Sequence, residues 1–590
     1  MLLEYGGKVV NNHVNYAKLP VENWNGILLV GEFPYKEDVS TGFAFRSSQG
    51  LQLRKLLADV GIKFSECGVI HALDYIPPHI NGDSEVLTKT AAKKQRHTLW
   101  GDNHITLDAA GSFNNLHQFI EAYRERIKFI FSFGKMGLLA LVKETNIDGY
   151  RGSQLEFDGI PYLPTHSMGR LNVQWKLKNL VGADLKRAVR HKFKWNFPPT
   201  FYITNPSYST VMYYLNRLLG EARRGAHLAV DIETRWARHI SYIGFAWSKT
   251  DAICIPIIKP KGEGLYWTDE QLFEIVSLIR GILELKSVKI SGQNYHYDAM
   301  FLARNWGIKS HIWCDTMVSF HAMFAGDIDK NLAMLASLFC ENYVFWKDES
   351  EGHEPTVEGE LKYQEYNCKD CCYTWEIAES IMGDGGLRED NEKAWQFQKN
   401  MWNPLFNVML QGTAIDMVRR KKVYDDTRGK IRDVVGLIVE LTGDVYRPEE
   451  RKFPENSKSL KVLQDRKKYE EKHGGWWGSP SKVATFFYDV IGVEAVTVWD
   501  RPSKRYKIST DDDALLKVQM REPIVAVVAE LISTYRSLCK FLDAAKGKVS
   551  SDGRMRSGYK LAGTSTYRLA SGTDCFDEGL NLQNISKGDE

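Results

Sequence analysis

Asp231 and Glu233 in AHLAVDIETRW, Asp298 in SGQNYHYDAMFL and Asp370 in KYQEYNCKDCCY are four carboxylates in a set order over about 140 residues. Carboxylates are hard oxygen ligands, and magnesium is held by one or two of them together with substrate phosphate and water. Two such ions about 4 Å apart activate a water and stabilise a leaving oxygen. The chemistry implied is metal-assisted phosphodiester hydrolysis. An Asp-x-Glu taken alone is usually a solvated turn or strand end. Four carboxylates in order, each flanked by apolar strand or helix residues, point to a site instead.

The elements that must position them are legible. AHLAVDIET, YIGFAWS (242–248) and AICIPI (252–257) are closely spaced β-rich runs that predict an antiparallel meander. Asp231 and Glu233 lie two apart near a strand end, so both side chains leave one face. VKISGQN (288–294) reads as the next strand and DAMFLARNWG as a helix after it. Thr268 and Gln271 form a capping box ahead of Leu272, Ile275, Val276 and Ile279 at helical spacing. Tyr366 precedes Asp370 by four residues in an expected helix, so phenol and carboxylate share a face. A tyrosine there can orient or deprotonate a water beside a metal.

Ahead of this region, GILLV (26–30) and FIFSFG (129–134) are short apolar runs alternating with helical patterns such as 47–61, which predicts a parallel α/β sheet. TKTAAKKQRH (88–97) reads as a basic surface loop, and residues 191–207, with Pro198, Pro199 and Pro206, as a linker. From about 390 onward the chain reads as largely helical. The fold class expected is therefore α/β and α+β multidomain, with domains at 1–195, 205–385 and 390–590.

Length and composition frame this reading. A chain of 590 residues is too long for one core, and about three to five domains are expected. Hydrophobic residues at 43% and charged residues at 26% describe an ordinary globular protein. A net charge of +3 means that any nucleic-acid binding comes from local patches. No apolar run reaches the roughly 20 residues that span a bilayer, and MLLEYGGK has no signal-peptide pattern. Nine scattered cysteines suit a reducing cytosol, so a cytoplasmic location is expected. Cys368 and Cys371 read as core or surface thiols, with no second pair nearby to make a metal clip.

VDIET, GQNYHYD with Asn294 four residues before Asp298, and Tyr366 four before Asp370 resemble the three motifs of the ribonuclease H-like 3′–5′ proofreading exonucleases with tyrosine in the last motif. CDTMVSFHAM with Asp315, and NLAMLASLF, resemble the same family. The resemblance implies a mixed-sheet domain and two Mg2+ or Mn2+ ions on Asp231, Glu233, Asp298 and Asp370. It also implies that Tyr366 positions the water and that DNA is the substrate.

The third region is similar to the thumb-side half of a family A DNA polymerase, in NPLFNVMLQGTAIDM (403–417), GSPSKVATFFYDVIG (478–492) and KISTDDDALLKV (507–518). Residues 551–586 resemble that family's stretch leading into the palm, with Tyr567 where a glycine is usual and Ser586 where a proline is. Arg536, Lys540, Lys546, Lys548, Arg554, Arg556, Lys560 and Arg568 recur there among Tyr535, Tyr559 and Tyr567. Cations at this density can neutralise phosphates, and aromatics can pack on sugars or bases. The expected DNA contacts are Asn294, Arg536, Lys540, Arg554, Arg556, Arg568, Asn581 and Gln583. The palm carboxylates that nucleotidyl transfer needs are not found before Glu590, so either a second polypeptide carrying palm and fingers, the favoured reading, or a truncated product is expected. By analogy the arrangement suits a split, phage-encoded replicative polymerase in a bacterial cytoplasm.

The first region resembles the uracil-DNA glycosylase superfamily. GEFPYKEDVSTGF matches one loop of the base pocket through Glu32, Pro34 and Tyr35, and THSMGRL matches the facing loop through His166. Phe33 replaces the aspartate that activates water in part of that superfamily, and Met168 interrupts the His-Pro-Ser pattern. No iron–sulfur cluster is expected, because only Cys67 falls in this region. The alternatives to an exonuclease subunit are a non-catalytic DNA-clamping scaffold that recruits the palm chain, or base excision by the first domain.

Overall fold

A computed structural model describes residues 2–4, 18–20, 23–42, 44–78, 83–324, 326, 328–350, 356–449, 451–454, 459–500 and 505–584. Residues 5–8 of the amino-terminal stretch and Ser586 lie outside them. Residues Met1–Met401 with Thr564–Tyr567 form one compact unit, and Trp402–Gly563 with Arg568–Glu590 another. The architecture is mixed α/β with several sheets. No helix among the described residues is long and apolar enough to cross a membrane.

The first unit holds two large sheets and a small three-stranded one of Val86–Leu87, His97–Trp100 and Asn103–Thr106. Strands β1 (Leu2–Glu4), β2 (Lys18–Pro20), β3 (Ile27–Gly31), β4 (Gly68–His71), β5 (Phe129–Phe133), β6 (Leu155–Phe157) and β7 (Ile160–Thr165) lie in the order β1-β2-β4-β3-β5-β7-β6. The central four are mutually parallel. Their apolar runs are buried on both faces, as parallel strands covered by helices on each side must be. Leu28, Val30 and Ile130 pack under α2 (Leu107–Ala122) and α3 (Lys135–Val142). Leu29, Phe129, Phe131 and Leu163 pack under α1 (Ser48–Asp59) and α4 (Leu177–Arg190).

The second sheet comprises β8 (Phe201–Ile203), β9 (His227–Arg235), β10 (His239–Ala246), β11 (Asp251–Pro256), β12 (Lys289–Gly292) and β13 (Ile312–Asp315), in the order β8-β11-β10-β9-β12-β13. The meander β9–β11 is antiparallel as its spacing predicts, and β12 runs parallel to β9. Helix α5 (Tyr208–Arg223) follows β8, and α6 (Asp269–Leu283) follows the sequence pattern. Thr268 and Gln271 make the capping box, and Ile275 and Ile279 are buried.

Two expectations are corrected here. β8 lies inside the segment read as a linker and pairs in parallel with β11 through Phe201 and Ile203. Its proline neighbours hid a strand of only three residues, too short to show alternation. The basic segment 88–97 contains a helical turn, Lys89–Ala92, capped by Thr88, and His97 opens a strand.

Helix α7 (His296–Trp306) follows β12, and α8 (Leu332–Phe339) precedes the 26-residue helix α9 (Val357–Met382). α9 lies across β9, β10 and β11. Cys368, Cys371 and Cys372 pack there on Ala229, Tyr242, Ala246 and Cys254. The CxxC pair is thus core packing.

In the second unit α10 (Met417–Thr442), α11 (Asp512–Arg521) and α12 (Ala526–Ala545) are the main helices. Asp416 caps α10 by accepting from Val418 and Arg419 N–H, and Asp511 caps α11 by accepting from Ala514 N–H. The core joins Ile431, Ile438, Trp476, Trp477, Phe487, Leu515, Ile532 and Tyr535.

Candidate active site

β9 carries Asp231 and Glu233 on one face, and α9 lays Asp370 against them. One carboxylate oxygen from each of the three lies within 4.8 Å of the others. Gly244 makes this approach possible. It sits opposite Asp231 on β10, and a β-carbon there would lie 2.2 Å from Asn367 Oδ1 and 2.7 Å from Cys371 Sγ. Only a residue without a side chain lets α9 come so close.

Four residues of α9 at i, i+3, i+4 and i+7 face the strand. Tyr363 OH donates to Glu233 Oε2 at 2.8 Å, and Asn367 Nδ2 donates to Asp231 Oδ2 at 2.8 Å. Tyr366 stacks on Tyr363 with ring centroids 5.8 Å apart. Asp370 accepts from Trp346 Nε1 at 2.6 Å and from Lys347 Nζ at 2.6 and 2.8 Å. Lys347 Nζ also donates to Tyr366 OH at 2.9 Å.

Asp298 stands beside this triad without joining it. It is buried in the first turn of α7, and its Oδ1 accepts from Ile232 N–H at 2.9 Å. Of the four expected carboxylates the structure gathers three, and Asp298 holds the strand between Asp231 and Glu233 through its Oδ1. Asn294 takes a left-handed φ of 55°, and its N–H donates to Asp315 Oδ1 at 3.2 Å. Asp315 also accepts from Tyr295 and Val318 N–H, so it fixes the turn that launches α7.

Burial and mutual repulsion raise Asp231, Glu233 and Asp298. The Asp231 carboxyl is held well above its ordinary range by burial, then by the charges of Asp370, Glu233 and Asp298. Glu233 is pushed up to about 7 by burial and by Asp370. Burial also raises Asp298 and the Tyr366 phenol. Hard oxygen donors gathered at such electrostatic cost fit a divalent cation, which would relieve the repulsion. Asp231, Glu233 and Asp370 are the residues that would hold it.

Sequence reasoning missed Tyr363, Asn367, Trp346 and Lys347. The first two were findable, since they share the helical face of Tyr366 and Asp370. Trp346 and Lys347 lie in an irregular segment that carries no periodicity.

In the first sheet, Glu32 follows β3 and is partly buried. Met136 N–H donates to its Oε1 at 3.4 Å, and the Ser167 hydroxyl bonds it as well. Burial pushes its carboxyl up to about 7. Gly134, at φ 96°, leaves the room Glu32 occupies. Pro34 is buried, and a β-carbon on Gly169 would meet Tyr35 OH at 2.4 Å. The loops after β3 and β7 therefore touch. His166, however, pairs elsewhere: its ring faces Asp148 at 3.8 Å and Arg170 at 3.5 Å, and burial pulls it down to about 4. Phe33 is 3% exposed, packed on Tyr35 at 5.5 Å.

The expected DNA-contacting cations of the second unit divide. Arg536 donates to the Thr510 carbonyl, and Arg554 to the Gly412 carbonyl at 3.0 Å. Arg556 is 8% exposed, donating to Leu410 O at 3.0 Å and to Asp552 at 2.6 Å. These three hold the fold, as does Tyr535, which is in the core. Asn581 Oδ1 accepts from Ser571 Oγ and from Gln583 N–H at 3.0 Å. Lys540, Arg568 and Gln583 are exposed. Tyr567, where the resemblance has glycine, takes φ of 58°, a region that side chains adopt at some strain.

Fold and site define a mixed α/β protein with a buried acidic centre suited to a divalent cation. No protein-family model matches the chain, and no curated protein matches it. Among solved structures it is similar to the polymerase domain of Pol1 from M. smegmatis in complex with DNA primer-template and dNTP, at 16% identity and a TM-score of 0.43. That match covers 65% of this chain and 56% of the Pol1 chain, so this chain spans little more than half of its length.

Proposed function

We propose that this chain is a metal-dependent 3′–5′ DNA exonuclease of the proofreading type. The observation that supports it is the convergence of Asp231, Glu233 and Asp370 to within 4.8 Å, with Tyr366 one helical turn from Asp370. Divalent ions bound there supply Lewis acidity and an acidified water. The protein's own part is to hold three carboxylates together against repulsion and to fix Asp231 through Asn367 and Glu233 through Tyr363. Tyr366 orients the attacking water through its hydroxyl. Asp298 keeps the β9 backbone in place through Ile232.

Incubation of the purified chain with end-labelled single-stranded DNA and Mg2+ should shorten the strand stepwise from its 3′ end, and Asp231→Ala should stop this. A wild-type chain inactive with both Mg2+ and Mn2+ would refute the exonuclease. For the first sheet we propose a non-excising role. Buried Phe33 offers no water activation, and the His166 ring is buried beside Asp148 and Arg170.

A further inference from the structure

Residues 340–346 run between α8 and α9 without helix or strand, so their inward peptide groups need partners from other elements. The first sheet's domain supplies them on one side and α9 on the other. Arg187 on α4 donates to the Ser337, Cys340 and Glu341 carbonyls at 2.6, 2.8 and 2.9 Å. Gln154, which leads into β6, brackets Tyr343. Its N–H donates to Tyr343 O at 2.8 Å, and its Oε1 accepts from Tyr343 N–H at 2.7 Å. Ser153 Oγ accepts from Phe345 N–H at 3.1 Å. Tyr343 OH donates to Gly149 O at 2.8 Å, and the Phe345 ring lies 5.0 Å from the Tyr150 ring. A β-carbon on Gly149 would come within 2.7 Å of the Phe345 ring, so the two chains meet without a gap.

Trp346 follows at once and is 1% exposed. Its ring stacks on Tyr373 of α9 at 4.1 Å, and its Nε1–H donates to Asp370 Oδ1 at 2.6 Å. One carboxylate of the acidic triad is thus directed by an indole whose preceding residues, Tyr343 and Phe345, are tied to the first sheet's domain.

We propose that the first sheet's domain serves the nuclease as a positioning module. Through Ser153 and Gln154 it sets residues 343–345, and these set the Trp346 indole that aims Asp370. This rests on the exonuclease reading, and it gives the non-excising role of that domain a content. The physical reason is rigidity. A donor behind a ligand keeps that ligand oriented only while the donor itself is held in place. Residues 340–346 have no ladder of their own to hold them, and the bonds from the first sheet's domain stand in for one. Ser153 and Gln154 are positioning residues, acting on Asp370 through the indole.

Trp346→Phe removes the donor and keeps a ring on Tyr373. It should weaken Mn2+ binding to the intact chain roughly tenfold by calorimetry and lower kcat on a labelled single strand by a similar factor, with KM for the strand unchanged. Gln154→Met and Ser153→Ala, whose contacts are with Tyr343 and Phe345, should move the same two quantities in the same direction by less. Combining Gln154→Met with Trp346→Phe should cost no more than Trp346→Phe alone, because the module acts only through the indole. Losses that multiply in the double variant overturn the proposal. So do wild-type Mn2+ affinity and kcat in Gln154→Met and Ser153→Ala, or a rise in KM at unchanged kcat. Ser153→Ala removes a single oxygen and carries the same cycle with Trp346→Phe if Gln154→Met does not fold. A wild type that binds Mn2+ but shortens no strand sinks the exonuclease reading alone, and the calorimetric cycle still decides the positioning. A wild type that binds no Mn2+ sinks both.

Discussion

Asn367 Nδ2 donates to Asp231 Oδ2 across 2.8 Å, which ties the long helix to the strand that carries the acidic pair. A ligand whose lone pairs are directed by an amide keeps its orientation when a metal arrives. Outer-shell partners of this kind are worth roughly tenfold or more in metal affinity. Asn367→Ala should therefore weaken Mg2+ binding by about tenfold, with little change in thermal midpoint, since one hydrogen bond contributes about 1 kcal/mol. Calorimetric titration of wild type and variant decides this. Equal affinities would mean that Asn367 only packs.

Gly244 is the point where helix and sheet are closest. A β-carbon there would lie inside the contact distance of Asn367 Oδ1 and Cys371 Sγ. Gly244→Val should push α9 away from β10, with an overpacking cost of about 1–3 kcal/mol. Asp370 would be carried off with the helix. Nuclease activity should fall further than stability does, because the ligand triad opens before the domain unfolds. Chemical denaturation run beside the nuclease assay tests the order. A variant with full activity would show that the helix position is not set by this glycine.

These two residues also show what could be read in advance. The alternating and helical patterns placed β9, β12, α7 and α9, and with them Asp231, Glu233, Asp298, Tyr366 and Asp370. Spacing along one chain says nothing about which of the four carboxylates meet, so Asp298 was expected among the ligands and is found on the Ile232 backbone. Lys347 was invisible for the same reason, since its partners lie 19 and 23 residues away across a non-repeating segment. The basic run of the third region misled because charge in a sequence does not reveal pairing. Arg554 and Arg556 are engaged by carbonyls and by Asp552. The short strand β8 was masked by neighbouring prolines.

Arg151 and Asp184 form a fully buried ion pair in the first unit, and Thr165 Oγ1 adds a bond to Asp184 at 2.6 Å. Arg151 Nη1 also donates to Ser337 Oγ at 2.6 Å. Removing one partner strands the other charge in an apolar setting, at a cost of about 3–5 kcal/mol. Arg151→Met alone should therefore lower the unfolding midpoint sharply. Arg151→Met with Asp184→Leu should regain much of the loss, because no charge is then left buried. If the double variant is as unstable as the single one, the polar network and not the lone charge carries the stability.

His71 at the end of β4 makes stability depend on pH. Its ring is 6% exposed, lies 4.9 Å from the Phe45 ring with Nε2 3.9 Å from the buried Asp38 carboxylate, and neither nitrogen has a hydrogen-bond partner. Burial pulls it down to about 3, so the folded protein holds it neutral through the mildly acidic range. An unfolded chain takes up that proton near pH 6.5. Between pH 6.5 and about 3 the unfolded state therefore binds one more proton, and stability falls as pH falls. The loss should reach about 2 kcal/mol by pH 5, at roughly 1.4 kcal/mol per unit below the unfolded value. His71→Gln titrates nothing in this window. Its denaturant midpoint should decline less than that of the wild type between pH 7 and 5, although it starts lower. Parallel declines in the two proteins would assign the acid sensitivity to other groups and show that His71 is protonated in the fold.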